Sequence, residues 1–187
     1  MDKTQRDLFG DKARPKFDKL ATDLQKRDRQ TFKSRLERLR YLDSISPRGI
    51  SMFGQMEPIF IFEEASLAFL NGAFIATIIL CQAAIEHWLT SYLSGKTEAK
   101  ELPKTLQNML KQCQKDGIIH DYLIEKIDSL RLIRNPFTHP KSEEYAFVLS
   151  RRIFEIKLPP EEILEEDAKS ALSLMHTLYL TKGYLRP

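Results

Sequence analysis

The stretch EEASLAFLNGAFIATIILCQAAIEHWLTSYL, Glu63 to Leu93, decides between two folds. At its centre stands Asn71-Gly72, the pair that most often turns a β-hairpin. Its flanks argue against that turn. Each is longer than an ordinary strand and rich in Ala and Leu, so Gly72 is expected to close one helix and a second helix to follow. That second helix is apolar almost all round, the composition of a central helix covered by its neighbours.

The same helical rhythm runs outward in both directions. Upstream, MEPIFIFEEASLAFL reads as the first of the pair. Downstream, LPKTLQNMLKQCQKDG places Leu102, Leu106, Met109 and Leu110 on one face, and Gly117 closes that helix. DYLIEKIDSLRLIRN follows, with Asp121 as the expected cap and Leu123, Ile127, Leu130 and Ile133 or Arg134 along one stripe. EEYAFVLSRRIFEI fits both a strand alternation and a helix, and helix is the expectation. Pro159-Pro160 breaks the chain, and EEILEEDAKSALSLMHTLYLTKG forms a closing helix whose acidic first turn suits the helix dipole. Before all this, Phe17, Leu20, Leu24, Phe32, Leu36, Leu39 and Leu42 recur at helical spacing around a charged gap, QKRDRQ. The gap predicts an interruption near residue 28, and SISPRGISMFG reads as a linker. The expected fold is an all-α bundle over residues 51–187, preceded by a basic helical extension over residues 1–50.

Composition agrees. With 187 residues, 42% of them hydrophobic, the chain can bury one core. No run of about 18 apolar residues occurs, and MDKTQRDLFGDKARPK lacks the apolar stretch of a secretory signal, so a soluble, cytoplasmic chain with no membrane partner is expected. Cys81 and Cys113 have no CxxC spacing and read as reduced thiols. The histidines are scattered singly, with no HxxxH or HExxH and no cysteine cluster, and the seven glycines form no phosphate loop. No metal and no cofactor is therefore expected. His87, on an apolar helix, reads as a core or edge residue; Glu63 and Glu64, adjacent on a helix, point apart. Charge is uneven: residues 1–50 hold 14 Lys and Arg against 8 Asp and Glu, and the remainder 15 against 18. A basic arm of this kind either meets phosphates or forms a solvated face, and composition leaves both open.

Chemistry concentrates in LRLIRNPFTHP, Leu130 to Pro140. Pro136 lacks an amide proton and disfavours the helical region for Asn135, which predicts a kink or end near Arg134. On an unbroken helix Arg134 and His139, five positions apart, would stand about 140° apart. A break gives the two side chains a route to one pocket; a second chain carrying the same motif gives another. Arginine offers a permanently charged fork, asparagine a neutral donor, and histidine a side chain that titrates near neutrality. That set suits a phosphodiester, whereas an arginine and a histidine serving only as dipole partners of a helix end is the structural alternative.

The arrangement Arg134-Asn135-x-x-x-His139 resembles the signature of the HEPN superfamily, the higher eukaryote and prokaryote nucleotide-binding helical domains. Three segments in order carry the likeness: the helical pair through Leu93, the run from Leu102 to Pro140, and EEDAKSALSLMHTLYL, together covering roughly residues 56–182. The resemblance implies a four- or five-helix bundle, commonly a homodimer in which two motifs meet. It implies a metal-independent endoribonuclease, found as a toxin with a cognate antitoxin protein or as an antiviral defence effector. The alternative it carries is a non-catalytic module that binds RNA, a nucleotide or a partner protein. Carried over by position, Arg134 and His139 take the catalytic places, Asn135 the polar place, and Glu86 the acidic place that supports the arginine. Pro136 and Pro140 depart from the usual pattern, and residues 141–159 have no counterpart role.

Overall fold

Two glycines end helices as the sequence anticipates. Gly72 has φ +78° and Gly117 φ +61°. At the first, Gly72 N–H donates to the Phe69 carbonyl (2.9 Å) and Ala73 N–H to that of Ala68 (2.8 Å). At the second, Gly117 N–H reaches Gln114 O (3.2 Å) and Ile118 N–H reaches Cys113 O (2.9 Å). Both are Schellman closures, in which a left-handed residue lets orphan carbonyls of the last turn find donors. The Asn71-Gly72 pair thus joins two helices and makes no hairpin.

The computed structural model describes residues 10–46, 56–96 and 103–180. Within them lie α1 (Gly10–Ile45), α2 (Met56–Leu70), α3 (Phe74–Lys96), α4 (Leu106–Lys115), α5 (Asp121–Thr138), α6 (Leu149–Ile156) and α7 (Pro160–Leu180), and no β-strand is present among the described residues. The chain is all-α. The bundle is made of α2, α3, α4, α5 and α7, with the short α6 added on α7. Helix α3 packs on α2, α4, α5 and α7. Its Ile78, Cys81, Ile85 and Leu89 are fully buried, together with Ile127 of α5 and Leu172 and Met175 of α7. This helix is long and apolar enough to cross a membrane, a composition that its place against four other helices also produces, although Ile75 at its start stays exposed. Cys81 and Cys113 are buried free thiols, and burial pushes the Cys113 thiol up to about 11.

Four local expectations are corrected. Helix α1 runs unbroken through residue 28, because Lys, Arg and Gln are good helix formers and the charged run costs a solvated helix little. Its Tyr41, Leu42 and Ile45 pack against the core. Helix α5 does not end at Arg134 but continues through Pro136 to Thr138. The N-cap of α5 is His120, without a capping side-chain bond, and Asp121 is the first helical residue. Residues 141–148 are turns, so the helix expected over EEYAFVLSRRIFEI covers only Leu149–Ile156. Of the expected linker SISPRGISMFG, Ser44 and Ile45 belong to α1, and the rest from Pro47, with the domain boundary at residue 50, lies outside the described residues.

Two further features set the shape around the site. Lys157, in the left-handed region at φ +61°, closes α6, and Pro160 opens α7 with Glu161 and Glu162 in its first turn. Helix α6 is tied to α7 by Arg152, whose two terminal nitrogens donate to Asp167 at 2.6 and 2.7 Å. Such a fork on a nearly buried carboxylate fixes orientation as well as position.

Candidate active site

Pro136 cannot donate to the carbonyl four residues back, that of Leu132. Tyr145 supplies the donor: its hydroxyl lies 3.4 Å from Leu132 O. The turn segment 141–148, for which the sequence offered no role, thus folds back over the end of α5. Lys141 lies over the Tyr145 ring at 5.6 Å, and Phe147 packs beside it at 5.7 Å. With that carbonyl satisfied, α5 holds its geometry for one more half turn, and Arg134 and Thr138 come to share a face.

Arg134 sits in a small polar cluster between α5 and α3. Its Nη1 donates to Thr138 Oγ1 (3.1 Å), and its Nη2 lies 3.9 Å from Glu86 Oε1. The same carboxylate oxygen accepts from Gln82 Nε2 at 2.6 Å. Gln82 is one helical turn before Glu86 and almost wholly buried. Thr138 Oγ1 in turn donates to the Asn135 carbonyl at 3.4 Å. The cluster is incomplete: Arg134 Nε and Gln82 Oε1 are buried with no hydrogen-bond partner.

His139 is the capping residue at the end of α5, with extended backbone (φ −140°, ψ 127°) and its N–H on Asn135 O at 2.9 Å. Its side chain is exposed, while Arg134 and Asn135 are half-buried. Among the described residues no hydrogen bond or ring contact links Arg134 to His139. The structure therefore brings together Arg134 and Glu86, sets Asn135 beside them, and places His139 at the open end of the same helix. The break expected to bring the imidazole round comes at His139 itself, after Pro136 rather than before it. A groove of about 620 Å³ runs between α5 and α7, lined by Lys126, Leu130, Ile133, Lys169 and Ser173 among others, and none of the four candidate residues lines it. In a single chain the motif lies on an open surface.

Two residues of this region escaped the sequence reading. Thr138 stands four places after Arg134, a spacing that pairs side chains once the helix is known to continue. Tyr145 could have been sought as the donor that Leu132 O needs. Neither signal has meaning until Pro136 is placed inside a helix. No group of three His, Cys, Asp or Glu side chains with metal-binding geometry occurs among the described residues. A family model described as HEPN domain matches residues 60–183. No curated protein and no solved structure matches the chain.

Proposed function

This chain belongs to the HEPN family, and from that premise we propose that it is an endoribonuclease that cleaves RNA through the 2′-hydroxyl of its substrate. The observation that carries the reading is the Arg134 guanidinium, held half-buried by Glu86 and Thr138 at the same helix end as the exposed His139. An arginine braced in this way keeps a fixed charge and a fixed direction, which is what developing negative charge on a phosphorane requires. Asn135 adds a neutral donor.

The step is an in-line transesterification. His139 takes the proton of the 2′-hydroxyl, or gives one to the departing 5′-oxygen, with solvent water making the opposite transfer, and the O2′–P bond forms as the P–O5′ bond breaks. Arg134 faces the charge that accumulates on the non-bridging oxygens. A 2′,3′-cyclic phosphate and a 5′-hydroxyl result, and no atom is left unaccounted for. Because the motif is open in one chain, we assign the complete site to a homodimer, each cavity taking the motif of two copies. The half-exposed last turns of α5, residues 131–138, and the exposed apolar Phe154 and Ile156 of α6 offer surface for such pairing.

The deciding experiment is cleavage of single-stranded RNA in EDTA by the wild type and by His139→Ala. Cleavage to cyclic-phosphate ends by the wild type alone, with unchanged circular dichroism, is the expected result. Equal cleavage by both proteins removes the assignment. RNA that is bound but left intact by both moves the protein to the non-catalytic HEPN modules.

A further inference from the structure

Helix α1 carries a feature that the cleavage site does not use. Lys19, Lys26, Lys33 and Arg40 follow one another at intervals of seven residues. Seven residues are close to two helical turns, so the four cations fall on one slowly drifting stripe, about 10.5 Å apart and about 30 Å from end to end. Arg29 lies in the same stripe, with two acids, Asp23 and Glu37, at its edge. All five cations are exposed, as is every residue from 19 to 33. None of the five forms an ion pair among the described residues, whereas Arg35 and Arg38 are engaged elsewhere. Residues 19–40 hold eight Lys and Arg against three Asp and Glu.

The helix leaves the bundle in a fixed direction. Arg38, nearly buried, donates through Nε to the Leu70 carbonyl at the end of α2 (3.0 Å) and lies over the Phe74 ring (5.6 Å). A Cβ at residue 72 would meet its Nη2 at 3.5 Å, an ordinary contact, so the left-handed backbone and not the guanidinium is what asks for glycine there. Tyr41 donates its hydroxyl to the Lys169 carbonyl of α7 at 2.8 Å. From this anchorage α1 runs outward as unbroken helix.

The opposite face says what the arm is not built for. Leu20 and Leu24 are exposed there, as are Phe32 and Leu39, but Asp28 stands between Leu24 and Phe32 and Arg35 between Phe32 and Leu39, joined at 3.5 Å. An ion pair in the middle of the apolar arc interrupts both a coiled-coil seam and a membrane-seeking face. The uninterrupted surface is the basic one. A straight row of unpaired cations complements a row of phosphates, whose condensed counterions they displace.

We infer that α1 is a nucleic-acid arm, in which Lys19, Lys26, Lys33 and Arg40 track the phosphodiester backbone of the RNA. The inference rests on the ribonuclease reading for its ligand but not for its test. A 2′-O-methyl oligoribonucleotide lacks the nucleophile, so its binding is independent of cleavage.

Fluorescence anisotropy with this probe, single-stranded and duplex, is measured from 50 to 200 mM salt. Each phosphate contact contributes about 0.7 to the slope of log affinity against log salt for a single strand. Changing the four residues to Gln should lower the slope by about 3, which removes about a 50-fold salt sensitivity over that range. Lys→Arg at 19, 26 and 33 should bind as the wild type does. An unchanged slope in the Gln variant overturns the arm, and so does a wild type that ignores the probe or prefers anionic phosphatidylserine vesicles to it. Arm-dependent binding with no cleavage of ordinary RNA upholds the arm and removes the ribonuclease reading; cleavage with arm-independent binding does the reverse.

Discussion

Leu132 has the carbonyl that Pro136 abandons, and the Tyr145 hydroxyl answers it at 3.4 Å. The dependence can be measured. Tyr145→Phe should cost about 1 kcal/mol in urea unfolding, the net worth of one hydrogen bond. In a Pro136→Ala background the backbone N–H regained at that position can take the same carbonyl, so the loss should shrink and the double-mutant cycle should show coupling. Additive costs would mean that the two residues do not share the carbonyl. His176 makes a different prediction. It is 3% exposed, both ring nitrogens lack partners, and the Phe62 ring lies at 4.4 Å, so burial lowers its pKa to about 4. A histidine whose folded pKa lies below its unfolded value keeps its full contribution above about pH 6.5 and loses it as the pH falls towards 4. The loss approaches about 3 kcal/mol, and His176→Phe should flatten stability across that window. Chemical denaturation between pH 4 and pH 7 reads both effects. Of the candidate site, the approach of Glu86 to Arg134 was expected from the family resemblance, while the Arg134–Thr138 and Tyr145–Leu132 contacts were not. Glu86 and Arg134 lie far apart in the chain, and their approach follows from how α3 and α5 pack, which spacing alone does not encode.

Helices were legible where their signals are local. The glycine closures after α2 and α4 and the proline start of α7 each depend on one residue's own conformational limits. The errors arose where packing overrode a local rule. A residue before proline avoids the helical region, yet Asn135 stays in it because Leu123, Ile127 and Leu130 are buried on the turns before, while Tyr145 and the Arg134–Thr138 bond hold the turn after. Residues 141–148 fold back as turns where a helix is expected, because an alternating apolar pattern over so short a run does not distinguish the two. Helix α6 depends on one ion pair. Its residues include none that is buried, so Arg152 on Asp167 is its main attachment to α7. Arg152→Ala would leave the Asp167 carboxylate, 8% exposed, without its partner, at a cost of about 3 kcal/mol. Amide exchange should speed up first in α6 and in the turns before it. Uniform loss of protection over the whole bundle would show that α6 folds as part of the core.

At the scale of the molecule, the family and the helical bundle were readable because an ordered set of apolar faces and one polar motif extend over most of residues 60–183. Assembly was not readable, since an interface between copies leaves no periodicity of its own. It has a direct test. In a symmetric dimer whose sites combine Arg134 of one copy with His139 of the other, Arg134→Ala and His139→Ala are each inactive alone. Mixing them with subunit exchange produces heterodimers in which one site has lost both groups and the other has kept both. With half the dimers mixed and half their sites intact, activity should return to about a quarter of the wild-type value. A site contained within one chain predicts no recovery at any mixing ratio. Light scattering on the same mixture separates the remaining case: recovery needs dimers that exchange, so a monomeric mass together with wild-type cleavage would place both groups in one copy and require His139 to swing towards Arg134 on binding RNA.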